Sequence, residues 1–228
     1  MDLPALYPQV RDTDHPSIAK HHPQVHITLK DPLTIITQQQ YSLTPETHKG
    51  LKPITDHLLQ ASIPIPTHSP HNTPILAVRK GPSSWRLVQG LQKVNEAITV
   101  TFPAVPDPYT LLSTIPPTAT HFTVLDLKDA FFTSPLHALS QPFFAFSRKD
   151  PETHVSQQLT WTVLPQEFRD SLHFFGQALQ KDLQTLDLAP SYLLQYVDDL
   201  LYSPTQKLCL QHTAKLLEAL GSWAYWVS

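Results

Sequence analysis

Leu193-Leu194-Gln195-Tyr196-Val197-Asp198-Asp199-Leu200-Leu201-Tyr202 reads as apolar strand, two acids, apolar strand, the pattern of a tight hairpin with both carboxylates at its tip. A second segment has the same character. Thr123-Val124-Leu125-Asp126-Leu127 predicts a buried strand interrupted by one carboxylate. An isolated ionised carboxylate among residues this apolar is expensive to desolvate. Three of them converging would repel and raise one another's pKa values. A divalent cation resolves the conflict, and oxygen-only ligands favour magnesium, with manganese as the alternative. Two such ions can activate a hydroxyl and stabilise the leaving oxygen of a phosphoryl transfer. The plainer reading is that Asp is a common turn residue, so Asp198-Asp199 could form a structural turn and Asp126 a cap. On the residues alone both readings stand.

Outward from these segments the second half reads as α+β. Phe168, Leu172, Phe175, Leu179 and Leu183 recur at spacings of 4, 3, 4 and 4, which predicts an amphipathic helix. A last helix is expected from about Thr205 to Leu220, with Gly221 as its C-terminal cap. The first half is proline-rich: 17 of the 23 prolines fall within residues 1–120, which predicts extended segments and short strands there. One helix is still readable, capped by Thr44 with Pro45 in its first position and Leu51, Ile54 and Leu58 on one face. Pro53 is expected to bend or break it.

Composition narrows the function classes. Hydrophobic residues make up 41% of the 228, enough for a core, and the net charge of −3 gives no global basic signal. Nucleic-acid binding would have to come from a local patch, and one exists. Arg79, Lys80, Arg86 and Lys93 lie in a stretch without an acid, a set suited to phosphate oxygens or to a solvated loop. One cysteine, Cys209, excludes an internal disulfide and fits a reducing compartment. No run approaches the roughly 18 apolar residues of a membrane span, and the first residues lack a signal-peptide pattern. The expected location is intracellular, in the cytoplasm. Nothing in the sequence fixes an oligomeric state.

The motifs taken together resemble a known family. Tyr196-Val197-Asp198-Asp199 matches the YxDD signature of retroviral reverse transcriptases, with the valine of the gammaretroviral branch. TVLDLKDAFF, SQPFFAF, QLTWTVLPQ and LLQYVDDLL follow in that branch's order, and HSPHNTPILAVRK and VPDPYTLLSTIPP resemble its upstream segments. The resemblance runs from about Val25 to Ala219. It implies an α+β right-hand polymerase whose palm is an antiparallel sheet with helices on one face. Residues 1–24 would form an extended segment, 25–120 the fingers with the first part of the palm, and 121–228 the palm; thumb, connection and RNase H domains are taken to be absent.

The resemblance also implies roles. Asp126, Asp198 and Asp199 match the catalytic, metal-holding triad for magnesium or manganese. Lys80 and Arg86 match the basic pair that holds the nucleoside triphosphate. Phe131 matches the aromatic that selects deoxynucleotides, Gln166 a glutamine near the template and nucleotide, and Tyr196 a residue against the primer end. The implied partners are an RNA or DNA template with its primer, and dNTPs.

Some positions depart from the family pattern. Its LPQG reads Leu164-Pro165-Gln166-Glu167, which adds bulk and negative charge beside the implied nucleotide site. Its RPVQDLR reads Arg86-Leu87-Val88-Gln89-Gly90-Leu91-Gln92, losing one acid and one base. Such changes, each within reach of a single transition, imply an endogenous retroviral copy. A non-catalytic remnant that at most binds nucleic acid or a partner is the alternative function. Thirteen histidines invite a metal reading, chiefly His15, His21, His22 and His26, but Pro16 and Pro23 prevent one helix from aligning them. That zinc reading is set aside. The tryptophans are expected to pack rather than stack on bases.

Overall fold

The computed structural model describes residues 7–11, 16–81, 84–100, 107–195 and 199–228. In chain order the helices are α1 (Pro45–Gln60), α2 (Gln92–Ala97), α3 (Pro108–Ser113), α4 (Ser171–Leu183) and α5 (Gln206–Ser222). The strands are β1 (Pro64–Pro66), β2 (Ile75–Arg79), β3 (Trp85–Gln89), β4 (His121–Leu125), β5 (Leu127–Lys128), β6 (Phe146–Lys149), β7 (Ser156–Trp161), β8 (Tyr192–Gln195), β9 (Asp199–Ser203) and β10 (Trp226–Val227). The class is α+β, and every strand pair is antiparallel. The chain forms two compact units. One gathers 1–22, 102–133 and 172–228; the other gathers 23–101 and 134–171. No helix among the described residues is long and apolar enough to cross a membrane.

The first unit is built on a three-stranded sheet in the order β4-β9-β8. Helices α4 and α5 share its core on one face: Phe175, Leu179 and Leu183 from α4 pack with Leu216, Leu217 and Leu220 from α5 and with Leu125, Tyr225 and Val227. The helical periodicity of the sequence puts these residues on one stripe each, and burying both stripes is what the sheet face supplies. Thr123 faces the same side, its hydroxyl 2.7 Å from that of Thr213 on α5. Phe122 and Val124 alternate to the other face and are 50% and 67% exposed. The strand expected to be buried is therefore an edge strand with one wet face, and it ends at Leu125 rather than running through Asp126.

Two helix boundaries differ from expectation. Phe168 is not the first residue of α4. Its amide bonds to Pro165 O (3.2 Å) in a turn ahead of the helix, and its ring packs edge-on against Phe144 at 5.2 Å, both residues belonging to the unit that gathers 23–101 and 134–171. Gly221 does not cap α5. The helix continues to Ser222, with Trp223 as cap and Ala224 in the left-handed region at φ 64°. Gly221 instead faces the turn Pro8–Val10: a Cβ there would sit 2.6 Å from Gln9 Cγ and 3.2 Å from Val10 Cγ1, so the turn's side chains would have to shift.

The second unit contains the sheet β1-β7-β6 and the hairpin β2–β3. Its core includes Ile63, Leu91, Val94, Phe144, Phe146, Leu159, Trp161 and Leu164. A buried polar network threads it. Trp161 Nε1 donates to Gln89 Oε1 (2.6 Å), and Gln89 Nε2 donates to Thr73 Oγ1 (2.7 Å) and Phe144 O (3.0 Å). Each buried polar atom of Gln89 is thereby satisfied, as a low-dielectric interior demands. Helix α1 starts as expected, with Thr44 Oγ1 accepting from Thr47 N. It runs unbroken past Pro53, because Leu51, Thr55 and Leu58 on its buried face hold it to the unit.

Candidate active site

Strand register decides where the acids go. Leu125 on β4 pairs with Asp199 on β9, and Asp199 pairs in turn with Gln195 on β8. Asp126 follows Leu125 directly, so the backbones of Asp126 and Asp199 are neighbours at the same end of one sheet. A one-residue slip would turn Leu201, wholly buried here, to the opposite face, so its burial fixes this register. Asp126 is exposed and lies between β4 and β5, its carbonyl accepting from Ser228 N at 2.9 Å. The strand pair β5–β10, with Leu127 opposite Val227, ties that end of the sheet to the chain's last residues. Gln195 Nε2 donates to Gly176 O on α4 at 2.9 Å, which anchors the end of β8 that faces Asp199. Tyr196 and Asp198 lie outside the described residues.

Phe131 sits in the helical turn Ala130–Thr133 of the same unit. Asp129, at φ 52°, adopts the left-handed conformation that Asp tolerates better than most residues, and its carbonyl accepts from Phe132 N at 2.9 Å. The turn leaves the Phe131 ring partly buried, edge-on to Phe175 at 5.8 Å. Its fixed position thus comes from the core.

The second unit carries the basic residues. Arg86 on β3 pairs with Val78 on β2, and Lys80 N bonds to Ser84 O at 2.9 Å. The two-residue period of the hairpin puts Lys80 and Arg86 on one face, both exposed. Arg79 alternates to the other face, where it pairs with Glu46 and lies 4.9 Å over the Trp85 ring. The hairpin's three basic residues therefore divide into a structural one, Arg79, and an outward-facing pair, while Lys93 lies exposed on α2.

Gln166 and Glu167 are exposed in the turn that precedes α4. Phe168 and Ser171 anchor this turn, Ser171 Oγ donating to Pro165 O at 2.8 Å. A residue that sequence reading missed completes it. Asn95 on α2 donates through Nδ2 to Glu167 O (3.2 Å) and accepts at Oδ1 from Arg169 N (3.0 Å). An Asn in a short polar helix carries no signal of such a role; its partners are more than seventy residues away.

Similarity to known proteins agrees with this architecture. Residues 78–228 match the family described as "Reverse transcriptase (RNA-dependent DNA polymerase)". The chain is 44% identical over 215 residues to the Gag-Pol polyprotein of Koala retrovirus, covering 92% of this chain and 13% of that protein. It is 43% identical over 231 residues to that of Avian reticuloendotheliosis virus, covering 100% of this chain and 20% of the other. It therefore spans a fifth or less of those relatives. The crystal structure of a Prototype Foamy Virus protease–reverse transcriptase superposes with a TM-score of 0.81 at 26% identity, covering 98% of this chain and 29% of that one. A foamy viral protease–reverse transcriptase in complex with ds DNA shares the fold at a TM-score of 0.82 and 24% identity, covering 99% and 38%. With a family match over most of its length, this chain belongs to the reverse transcriptase (RNA-dependent DNA polymerase) family.

Proposed function

We propose that this chain is the fingers-and-palm portion of a retroviral Pol polyprotein and acts in RNA-directed DNA synthesis. The observation that carries the reading is the Leu125–Asp199 register, which makes the backbones of Asp126 and Asp199 neighbours. The donor set is carboxylate oxygen, the chemistry that magnesium or manganese takes. When bound, such ions neutralise the converging charge and stabilise the attacking and leaving oxygens of the transfer. Asp126, Asp198 and Asp199 would hold them. The primer 3′-hydroxyl attacks the α-phosphate of a dNTP, forming the new phosphodiester bond as pyrophosphate leaves. Lys80 and Arg86 donate to triphosphate oxygens. Phe131, braced by Phe175, stands where a ribose 2′-hydroxyl would be refused. Gln166 contacts the nucleotide and template, and Tyr196 the primer end. An intracellular setting suits the buried free thiol of Cys209.

A second reading has its own observation. Glu167 is exposed in the turn beside Gln166, at a position where the family pattern has glycine. A carboxylate there would oppose the triphosphate, leaving a folded protein that binds nucleic acid without extending a primer. Primer extension on an RNA template, in magnesium and then manganese, separates the two. Incorporation that vanishes in Asp126→Asn and Asp198→Asn supports the polymerase. A folded protein that incorporates nothing, yet binds primer–template with a steep salt dependence, supports the second.

A further inference from the structure

His21 and His22 lie in the N-terminal segment and Asp182 near the end of α4, yet the fold of the first unit brings them together. His21 Nε2 lies 2.9 Å and His22 Nε2 3.0 Å from the same oxygen, Asp182 Oδ2. The Tyr225 hydroxyl donates to that oxygen at 2.8 Å and lies 2.8 Å from His22 Nε2. Three polar groups thus converge on one lone-pair region of one carboxylate. His22 is almost wholly enclosed, with 3% of its side chain exposed, against 12% for Asp182 and 42% for His21. The cluster is walled on the inside and open at His21.

We infer that His21, His22 and Asp182 form a binding site for a divalent transition metal, zinc above all. One ligand atom from each residue lies within 4.8 Å of the other two. Tetrahedral zinc, with bonds of about 2.0–2.1 Å, holds its ligand atoms about 3.3 Å apart, so the two N···O separations need to open by only a few tenths of an ångström. Two imidazoles and one carboxylate are a donor set for zinc, not for magnesium or calcium. The open side at His21 leaves the fourth position to water. Tyr225 serves as the outer support, its hydroxyl fixing the orientation of the Asp182 carboxylate.

The geometry also limits the affinity. His22 Nδ1 is buried with no hydrogen-bond partner, and coordination through Nε2 puts a proton on that nitrogen. A ligand lacking its outer partner binds metal about 10–100-fold more weakly than one that has it. The site is therefore one that a chelator empties readily, and metal there ties the segment at residues 21–22 to α4.

The test uses the purified chain, stripped with chelator and titrated with zinc by calorimetry and with cobalt by visible absorption. Stoichiometric uptake, a tetrahedral cobalt spectrum and a zinc-dependent rise in thermal midpoint are expected. His21→Ala removes an exposed side chain and should weaken zinc binding by about tenfold or more, and Asp182→Asn should abolish the cobalt spectrum. His26→Ala is the control, since His26 packs with His137 at 5.2 Å in the other unit, and its affinity should be unchanged. Failure of the parent chain to take up metal overturns the site. So does equal binding by His21→Ala, or equal weakening by His26→Ala, because either means diffuse binding to surface histidines.

Discussion

Gly50 lies inside α1, where glycine costs about 0.5–1 kcal/mol relative to alanine, so propensity alone says Gly50→Ala should stabilise the protein. Packing says the opposite. A Cβ at 50 would fall 2.3 Å from Trp85 Nε1, 2.4 Å from Cδ1 and 2.8 Å from Cε2. Attractive carbon contacts begin at about 3.5 Å, so a rigid indole would have to move by roughly 1 Å. Overpacking of this kind costs about 1–3 kcal/mol. Displacing the ring from under Arg79 adds up to about 0.5–1 kcal/mol. The clash wins, and Gly50→Ala should destabilise by roughly 1–2 kcal/mol. In a Trp85→Ala background the obstacle is gone, and the same substitution should stabilise by about 0.5–1 kcal/mol. Urea unfolding followed by far-ultraviolet circular dichroism on the four proteins reads both values and their coupling. Stabilisation of the parent by Gly50→Ala, or an identical effect in the two backgrounds, would refute the argument that α1 is docked on Trp85 through its glycine.

Asn95→Ala removes both side-chain bonds to the Glu167–Arg169 turn and should cost about 1 kcal/mol, with faster hydrogen exchange at the Arg169 amide; unchanged exchange there would mean that the turn holds itself. Acid should loosen both units through named groups. Burial works to raise the pKa of Asp182, but hydrogen bonds from His21, His22 and Tyr225 outweigh it and hold the carboxyl below its usual range. Asp150 is held well below its usual range by the Thr153 amide, the Lys52 ammonium and the Glu152 amide. Both folded values lie below the unfolded ones, so their contribution is complete above about pH 5 and is lost as pH falls through the unfolded and then the folded values. Urea midpoints should be insensitive to these groups from pH 5 to 7 and drop below about pH 4; a parallel acid profile in Asp150→Asn would remove Asp150 from the account. Glu167→Gly should raise nucleotide incorporation at fixed dNTP, and no gain would show that the carboxylate is not the obstacle.

Much of the first unit could be read from order along the chain. The apolar runs on either side of Asp198-Asp199 return as β8 and β9, and Phe175, Leu179 and Leu183 return as the buried stripe of α4, since period-2 and period-3.6 patterns are local properties of the chain. Thr44 with Pro45 marked the start of α1 because capping is decided within one turn. Phe168 shows where this reasoning fails. It fits the helical spacing, yet the turn closed on Pro165 and the Phe144 ring take it out of the helix. Gly221 fails for a related reason: its want of a side chain answers to Gln9, not to a helix end.

By itself, then, the sequence determined the two apolar strands that flank the acidic pair, the carboxylate that follows an apolar strand, and the motif order that identifies the family. The tertiary structure alone decided which distant partners each residue meets. It joined residues 134–171 to 23–101 as one unit, set Leu125 opposite Asp199, turned Lys80 and Arg86 to one face while Arg79 faced α1, and delivered Asp182 to His21 and His22. The physical reason is that local periodicity says which face of an element is apolar but not what will cover it. That choice is made when many faces are buried at once, and no window of neighbouring residues contains it.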